Sequence, residues 1–410
     1  MIASGELVGI SARVLLLVVC AACCIQLRAQ EHDNTVSFDI FLFNQEDVDH
    51  GEGIGGGNPV FSEEFVYGGA RFAAKLKVSD VISLRPTFGV SSIDPGPAVD
   101  APDTISNATW NLTNATTTSA SATNFTISGI MDIRPKESDW TFSPGAYFAY
   151  QPTYVSRGLD FAASVELFKG NFTPTFSYNV RWDALTGGNL RAAGIWGGET
   201  GEIDEFGFDR SVHERTTHNF ELGFTQILSP DWRLQATFQY TRQDGFLGGA
   251  NEQVTLFSGD TPVLFSDEKL PSRRNRLQLN LRVRFSPAEH FSLGMDHSAY
   301  WDDWGVRSVA IQPNAEGTFG DSRARWRIWS RISYQQGTRY HRGHPQHVSR
   351  YQTDDPDLWT FNAKSGGLLL WFDMPETGDM QWILRISVNG VYRSDRIWGV
   401  GALIGSEFGW

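Results

Sequence analysis

Past residue 24 the chain contains no cysteine; Cys20, Cys23 and Cys24 are all that 410 residues hold. A disulfide-stapled secreted scaffold is therefore excluded, and stability has to come from hydrogen-bonded architecture. Long hydrophobic runs are also missing. After the first thirty residues none approaches the roughly 20 apolar residues of a membrane helix. Positive charge is short as well: 34 Lys and Arg against 47 Asp and Glu give a formal charge of −13, which argues against nucleic acid as a partner. There is no helical heptad, and no nucleotide loop, zinc-protease motif or nucleophile elbow. The chain reads as a non-enzyme with no cofactor implied. An enzymatic barrel would need a triad assembled across strands, which a single sequence does not expose.

What is present begins with Arg13 and the apolar run Val14 to Ile25, followed by Gln26-Leu-Arg-Ala-Gln30. Such a run is too short to cross a bilayer as a helix and suits a secretory signal. We expect residues 1–29 to be cleaved as a signal peptide, leaving 30–410 as a single domain without cysteine. A lipoprotein signal is the rival reading, but Cys20-Ala-Ala-Cys23 has Cys where Leu is expected. Aromatic residues make up 13% of the chain and glycine 41 positions, a composition suited to one large β-structure with aromatic belts. No linker or composition break divides it.

The last thirteen residues show the pattern most plainly. Trp398, Val400, Ala402, Ile404, Ser406, Phe408 and Trp410 fall on one face of a strand, and Gly399, Gly401, Leu403, Gly405, Glu407 and Gly409 on the other. An apolar face with an aromatic at each end is what a transmembrane barrel strand requires. A terminal aromatic closing such a strand also resembles the assembly signal of Gram-negative outer-membrane proteins, so Trp398, Phe408 and Trp410 are the expected signal for the barrel-assembly machinery.

Similar strands recur in pairs from Val36 onward, joined by short turns on one side and long polar loops on the other. The strands are 36–45, 65–77, 81–92, 125–133, 140–150, 159–168, 172–182, 217–228, 232–241, 276–285, 291–301, 306–312, 323–335, 359–372, 381–391 and the terminal one. Sixteen strands follow, with fourteen as the alternative because 159–168 and 306–312 alternate poorly. The Asn-x-Thr sequons at Asn107, Asn111, Asn114 and Asn124 read as incidental to a low-complexity insert. The polar faces are informative: Arg276, Gln278, Asn280, Arg282 and Arg284 oppose Leu277, Leu279, Leu281, Val283 and Phe285. Arg323, Arg325, Arg327, Trp329 and Arg331 oppose Ala324, Trp326, Ile328, Ser330 and Ile332. Arginine facing lipid at the midplane would cost about 2–4 kcal/mol each, so these faces belong in a lumen. The fold class is an all-β, transmembrane, antiparallel up-and-down barrel, with short periplasmic turns and long extracellular loops, in the outer membrane of a Gram-negative cell. Its lipid and lipopolysaccharide are the expected surroundings.

From Asp231 onward the chain resembles the uncharacterised Gram-negative barrel family catalogued as domain of unknown function 3570. The matching stretches are 231–247, Ser272-Arg273 with Arg276, and Asp302-Asp-Trp-Gly-Val-Arg-Ser308. The resemblance implies an outer-membrane barrel and, through the genes that neighbour this family, a periplasmic redox or flavin-transfer partner. It carries over no catalytic residue.

The family-like residues Asp244, Arg273, Arg274, Arg276, Asp302, Asp303 and Arg307 are placed by this topology at the outer rim of four consecutive strands. They form either a lattice of salt bridges that fixes the loops or a charged mouth that selects solutes. Arg282, Arg284, Arg323, Arg325, Arg327 and Arg331 would continue an electropositive track down the wall, or pair with luminal acids such as Asp160, Glu166 and Glu221. His341, His344 and His347 have a spacing that could hold Zn²⁺ or Cu²⁺. Gly343 and Pro345 break any helix there, so a solvated loop is the plainer reading. The acidic loop Asp47-Val-Asp-His-Gly-Glu52 is read as solvated too. Two functions fit the whole: porin-like passage of small hydrophilic solutes, or a plugged barrel serving as scaffold or binding platform for a periplasmic redox system or a surface ligand.

Overall fold

A computed structural model describes residues 34–47, 65–95, 122–151, 154–186, 212–248, 253–259, 261–319, 323–342, 345–353, 355–375, 380–395 and 397–410. The proposed signal segment, most of the acidic loop and His344 lie outside the described residues. Among the described residues there are eighteen strands. The first nine are β1 (Thr35–Asp47), β2 (Phe65–Lys77), β3 (Ile82–Pro95), β4 (Ala122–Ile133), β5 (Trp140–Gln151), β6 (Tyr154–Val165), β7 (Phe172–Thr186), β8 (Val212–Ile227) and β9 (Trp232–Gly245). The others are β10 (Gln253–Ser258), β11 (Thr261–Asp267), β12 (Arg273–Ala288), β13 (Phe291–Asp302), β14 (Arg307–Phe319), β15 (Ala324–Gln336), β16 (Phe361–Asp373), β17 (Gln381–Arg393) and β18 (Ile397–Gly409). Among the described residues the only helical element is a single 3₁₀ turn, Pro356–Leu358.

Sixteen of these strands close into one antiparallel barrel in which each neighbours the next along the chain. The exception is the step from β9 to β12, where β10 and β11 leave the wall as a separate two-stranded hairpin. That hairpin was not expected from the sequence. The barrel closes by pairing β1 with β18, from Thr35 opposite Gly409 to Asp47 opposite Ile397.

Closure inverts the usual placement of apolar residues. Ile40, Leu159, Leu222, Leu279, Val309, Ile328, Ile332, Val388 and Ile404 are all exposed, because their alternating positions face outward. Aromatic pairs sit within this band. Trp382 stacks on Phe408 at 5.7 Å and Trp232 on Phe285 at 4.5 Å near the short turns, while Tyr178 packs on Phe220 at 4.7 Å at mid-strand.

The glycine face of β18 has a specific use. Arg385 on β17, Gly405 on β18 and Asp39 on β1 lie in register across three strands. Arg385 Nη2 reaches Asp39 Oδ1 at 2.8 Å directly over the glycine. A Cβ at position 405 would collide with that carboxylate. The seam is thus bridged by an ion pair that only a missing side chain permits. Trp410 finishes the strand by packing on Val36 and Ala74, and its N–H donates to Asn34 O at 3.1 Å.

The boundaries of two expected strands are corrected. β14 does not stop at Gln312: it continues through Pro313 to Phe319. Pairing with β15 lapses at Gln312 and Pro313, where proline supplies no N–H, and resumes at Asn314. β6 begins at Tyr154 rather than Leu159 and ends at Val165. Its turn then uses positive φ at Phe168, Lys169 and Gly170.

Candidate functional site

Three stretches far apart in sequence meet at the long-loop end of β9, β12, β13 and β14. The centre is Asp302, whose side chain is 0% exposed. Its Oδ2 accepts from Arg274 Nε at 2.8 Å and from Tyr300 Oη at 2.9 Å, and its Oδ1 from the backbone N–H groups of Trp304 and Val306 at 3.0 and 2.9 Å. The carboxylate therefore builds the tight turn after β13 while neutralising a buried guanidinium. Gly305 sits in that turn at φ +97°, a conformation that suits glycine. Arg274 lies over the Trp304 ring at 4.4 Å, and Trp304 Nε1 donates to Arg273 O at 2.9 Å.

Around this turn the loops form a small core of Tyr300, Trp304, Val306 and Leu358, with Leu247, Leu270 and Tyr340 packed against it. Segment 337–360 is tied down at several points. Thr338 N donates to Leu358 O at 2.8 Å, Arg339 Nε to Trp304 O at 3.2 Å and Gln335 Nε2 to Asp357 O at 2.6 Å. Backbone bonds join Lys269 to Gln352, and Thr353 Oγ1 donates to Glu268. Arg393 pairs with Asp357 at 2.7 Å and Asp395 at 2.6 Å and lies 3.9 Å from the centre of the Phe361 ring. Together these contacts tie the loops at the long-loop end of β12 to β17 into one cap.

The rim residues singled out in the sequence divide between the two sides of the wall. Arg274, Arg276 and Asp302 occupy inward positions. Arg273 and Asp244 follow the outward parity; they pair at 2.7 Å, and Arg242 joins Asp244 at 2.6 Å. Asp303 accepts from Asn275 N and Nδ2 at 3.1 and 2.6 Å. Arg307, in register with Trp301 and Gln336, lies on the outer face and takes no part in the cluster among the described residues.

Beneath the cap the lumen opens into a chamber of about 740 Å³. Its upper wall carries a buried network in which Tyr154 Oη donates to Asp183 Oδ1 at 3.0 Å and Arg215 Nε to Asp183 Oδ2 at 2.8 Å. One side is a ladder of inward amides and hydroxyls, Gln235, Thr237, Gln239, Thr241 and Gln243 on β9, facing Gln278 and Asn280 on β12. Lower down stand Arg282, Asp296, Ser298 and Arg331.

Of the acids expected to balance the arginine faces, Glu221 lines the chamber and the other two are engaged elsewhere. Asp160 pairs with Arg181 at 2.8 Å and Glu166 with Arg134 at 3.3 Å. The carboxylate opposite β12 is Asp296, shared by Arg284 at 2.7 Å and Arg282 at 3.3 Å. Arg284 reaches across Gly294, where a Cβ would obstruct it. Arg331 donates to Ser298 Oγ at 3.2 Å, and Arg325 reaches Asp373 at 3.4 Å. Arg327 has a buried Nε with no partner. Arg323 precedes β15 at the short-turn end, exposed, with its carbonyl accepting from Asp373 N at 2.7 Å.

His341 packs within the cap. Its ring lies 4.8 Å from that of Trp359, its Nδ1 is 3.4 Å from Thr353 O, and burial holds its pKa below the usual histidine value, partly offset by that bond. His347 is exposed, and among the described residues no group of His, Cys, Asp or Glu is placed to hold a metal. The sequence reading missed Trp304 as the hub of the cap, and Asp357, Arg393 and Gln335 with it. It also missed the β9 amide ladder, although the alternation Gln235, Thr237, Gln239, Thr241, Gln243 was there to be read.

The family model described as "Protein of unknown function (DUF3570)" matches residues 120–379. No curated protein matches the sequence. Similar solved structures share little identity. A structure described as a bacterial polysaccharide outer membrane secretin is 9% identical at TM-score 0.46, with 93% of this chain and 100% of that one covered. The outer membrane protein opdK from Pseudomonas aeruginosa is 7% identical at TM-score 0.42, covering 92% and 98%. The siderophore receptor PirA from Pseudomonas aeruginosa is 9% identical at TM-score 0.41. There 89% of this chain is covered, and the chain spans 57% of the receptor.

Proposed function

The chain belongs to the DUF3570 family, and from that premise we propose that it is an outer-membrane barrel through which small hydrophilic solutes pass. The observation that carries this reading is the contrast between the two faces of one wall. On β12 the outward positions run Leu277, Leu279, Leu281, Val283, Phe285, about the length a tilted strand needs to cross the hydrocarbon. The inward positions run Arg276, Gln278, Asn280, Arg282, Arg284, and the first four of them border a polar chamber. A barrel of sixteen strands is wide enough to hold water where loops do not fill it. The apolar face meets lipid, the polar face meets solute, and the short turns lie on the periplasmic side.

The cap supports a second reading, a barrel closed at the mouth and used as a platform for a periplasmic redox system or a surface ligand. Single-channel recording of the mature protein in a planar bilayer separates the two. Passage requires discrete conductance steps at each insertion. Folded barrels that insert and stay silent would overturn it and leave the platform.

A further inference from the structure

We propose that the chamber beneath the cap is a binding site for a small solute carrying an oxyanion, a carboxylate or a phosphate, with Arg276 as its anchor. The proposal rests on the solute-handling reading above and names the class of solute.

Arg276 lies on the inner face of β12, in register with Thr241 and Asp302, and its side chain lines the chamber. Among the described residues it makes no hydrogen bond and no ion pair, and its Nε is buried without a partner. Buried charges are ordinarily paired, because withdrawal from water is otherwise uncompensated. The neighbours make the deficit worse. Arg274 and Arg215 stand on either side of Arg276, and the two nearby carboxylates are already taken: Asp302 by Arg274 and Asp183 by Arg215. Three guanidiniums thus share two carboxylates. The chamber as a whole has the same sign, with Arg181, Arg215, Arg276, Arg282 and Arg331 lining it against Asp183, Glu221 and Asp296.

The geometry around Arg276 suits a ligand better than a missing structural partner. Gln243 Oε1 is also buried without a partner, so a donor hydroxyl on the solute would find an acceptor beside the guanidinium. A guanidinium presents donors in a planar fork that donates to carboxylate or phosphate oxygens two at a time. The volume of about 740 Å³ falls within the roughly 300–1,000 Å³ typical of small-molecule sites. The amide ladder would hold hydroxyl groups on the rest of the molecule.

The test uses the purified mature barrel in detergent at low salt, with inorganic phosphate and gluconate as probes and glucose as the uncharged control. Thermal stability is read with and without each probe. At least one anion should raise the wild-type midpoint and glucose should not; which anion does so tells carboxylate from phosphate. Arg276→Gln should weaken the binding roughly tenfold or more, the loss expected for charge-assisted hydrogen bonds, and Arg276→Lys should fall between. Without ligand, Arg276→Gln should be as stable as wild type or more so, because it removes a half-buried charge that has no partner among the described residues. A structural arginine would give the opposite sign. No stabilisation by either anion, or unchanged affinity in Arg276→Gln, would overturn the proposal. Bilayer recording of the same samples keeps the two readings apart. A conducting barrel indifferent to anions loses the site and keeps passage, whereas a silent barrel that binds them loses passage and keeps the site.

Discussion

Replacing Asp302 by alanine should open the cap and leave the barrel closed. The carboxylate is fully buried and serves four donors: Arg274, Tyr300 Oη and the N–H groups of Trp304 and Val306. Removing it takes from the Arg274 guanidinium, itself 10% exposed, the one carboxylate bonded to it. Breaking a buried pair from one side costs about 3–5 kcal/mol, and each backbone N–H left buried and unpaired adds about 1–3 kcal/mol. Against that stand the apolar side chains of one small core, Tyr300, Trp304, Val306 and Leu358, at about 1.5–3 kcal/mol each before the entropy of ordering the loop is subtracted. The loss is comparable to the whole holding energy of the cap. The barrel ladder, which runs through every neighbouring strand, is untouched. Hydrogen exchange on the folded protein in micelles should show residues 303–306 and 337–360 losing protection while β12 and β13 keep theirs. Adding Arg274→Met should restore much of it, because the orphaned charge disappears with its partner. Unchanged protection at 303–306 in Asp302→Ala, or no recovery in the double variant, would refute this reasoning.

Deleting Trp410 should reduce the yield of heat-modifiable folded barrel in the outer membrane, since its ring packs on Val36 and its backbone N–H donates to Asn34 O across the seam; wild-type yield would count against an assembly role. Arg282→Cys and Arg325→Cys should react with small water-soluble thiol reagents in membranes, while Leu281→Cys and Ile328→Cys should not. The reverse pattern would mean that the inner and outer faces are exchanged. His341 gives the cap a pH dependence. Its folded pKa is lowered by burial, so neutral histidine is favoured in the folded cap and its contribution is present above the ordinary value of about 6.5. That contribution is lost as the pH falls through the folded pKa. Protease sensitivity near residue 341 should therefore rise in mild acid, and His341→Gln should flatten the profile.

The wall was readable because a strand side chain alternates with period two, which β12 carries throughout and β15 carries with breaks only at Trp329 and Ser330. It was misread where local chemistry resembled a turn: Pro313-Asn314 ended β14 too early, although proline there removes only pairing partners on one side. The hairpin of β10 and β11 was overlooked because it adds two strands without adding to the wall. For the site, the position along the strand was legible and the side of the wall was not always so. Arg273 and Arg274 are neighbours in sequence and face opposite ways, one pairing with Asp244 outside and the other with Asp302 inside. The cap was invisible for another reason. Trp304 with Leu358, Lys269 with Gln352, and Arg393 with Asp357 are long-range contacts between irregular segments, and no periodicity announces them.

The seam between β1 and β18 also sets a timetable. Asp39 and Arg385, which bridge it, are 346 residues apart. Nearly the whole chain must be synthesised before the first strand can meet its second neighbour. Until then every partial sheet has two open edges, one of them β1 with Ile40 and Leu42 facing outward, and such edges recruit other chains. Contacts this distant are slow to form because the connecting loop must be ordered first. A chain truncated before β18 would therefore be an aggregation hazard rather than a smaller barrel, and the apprenticeship of the first strand ends only with the last.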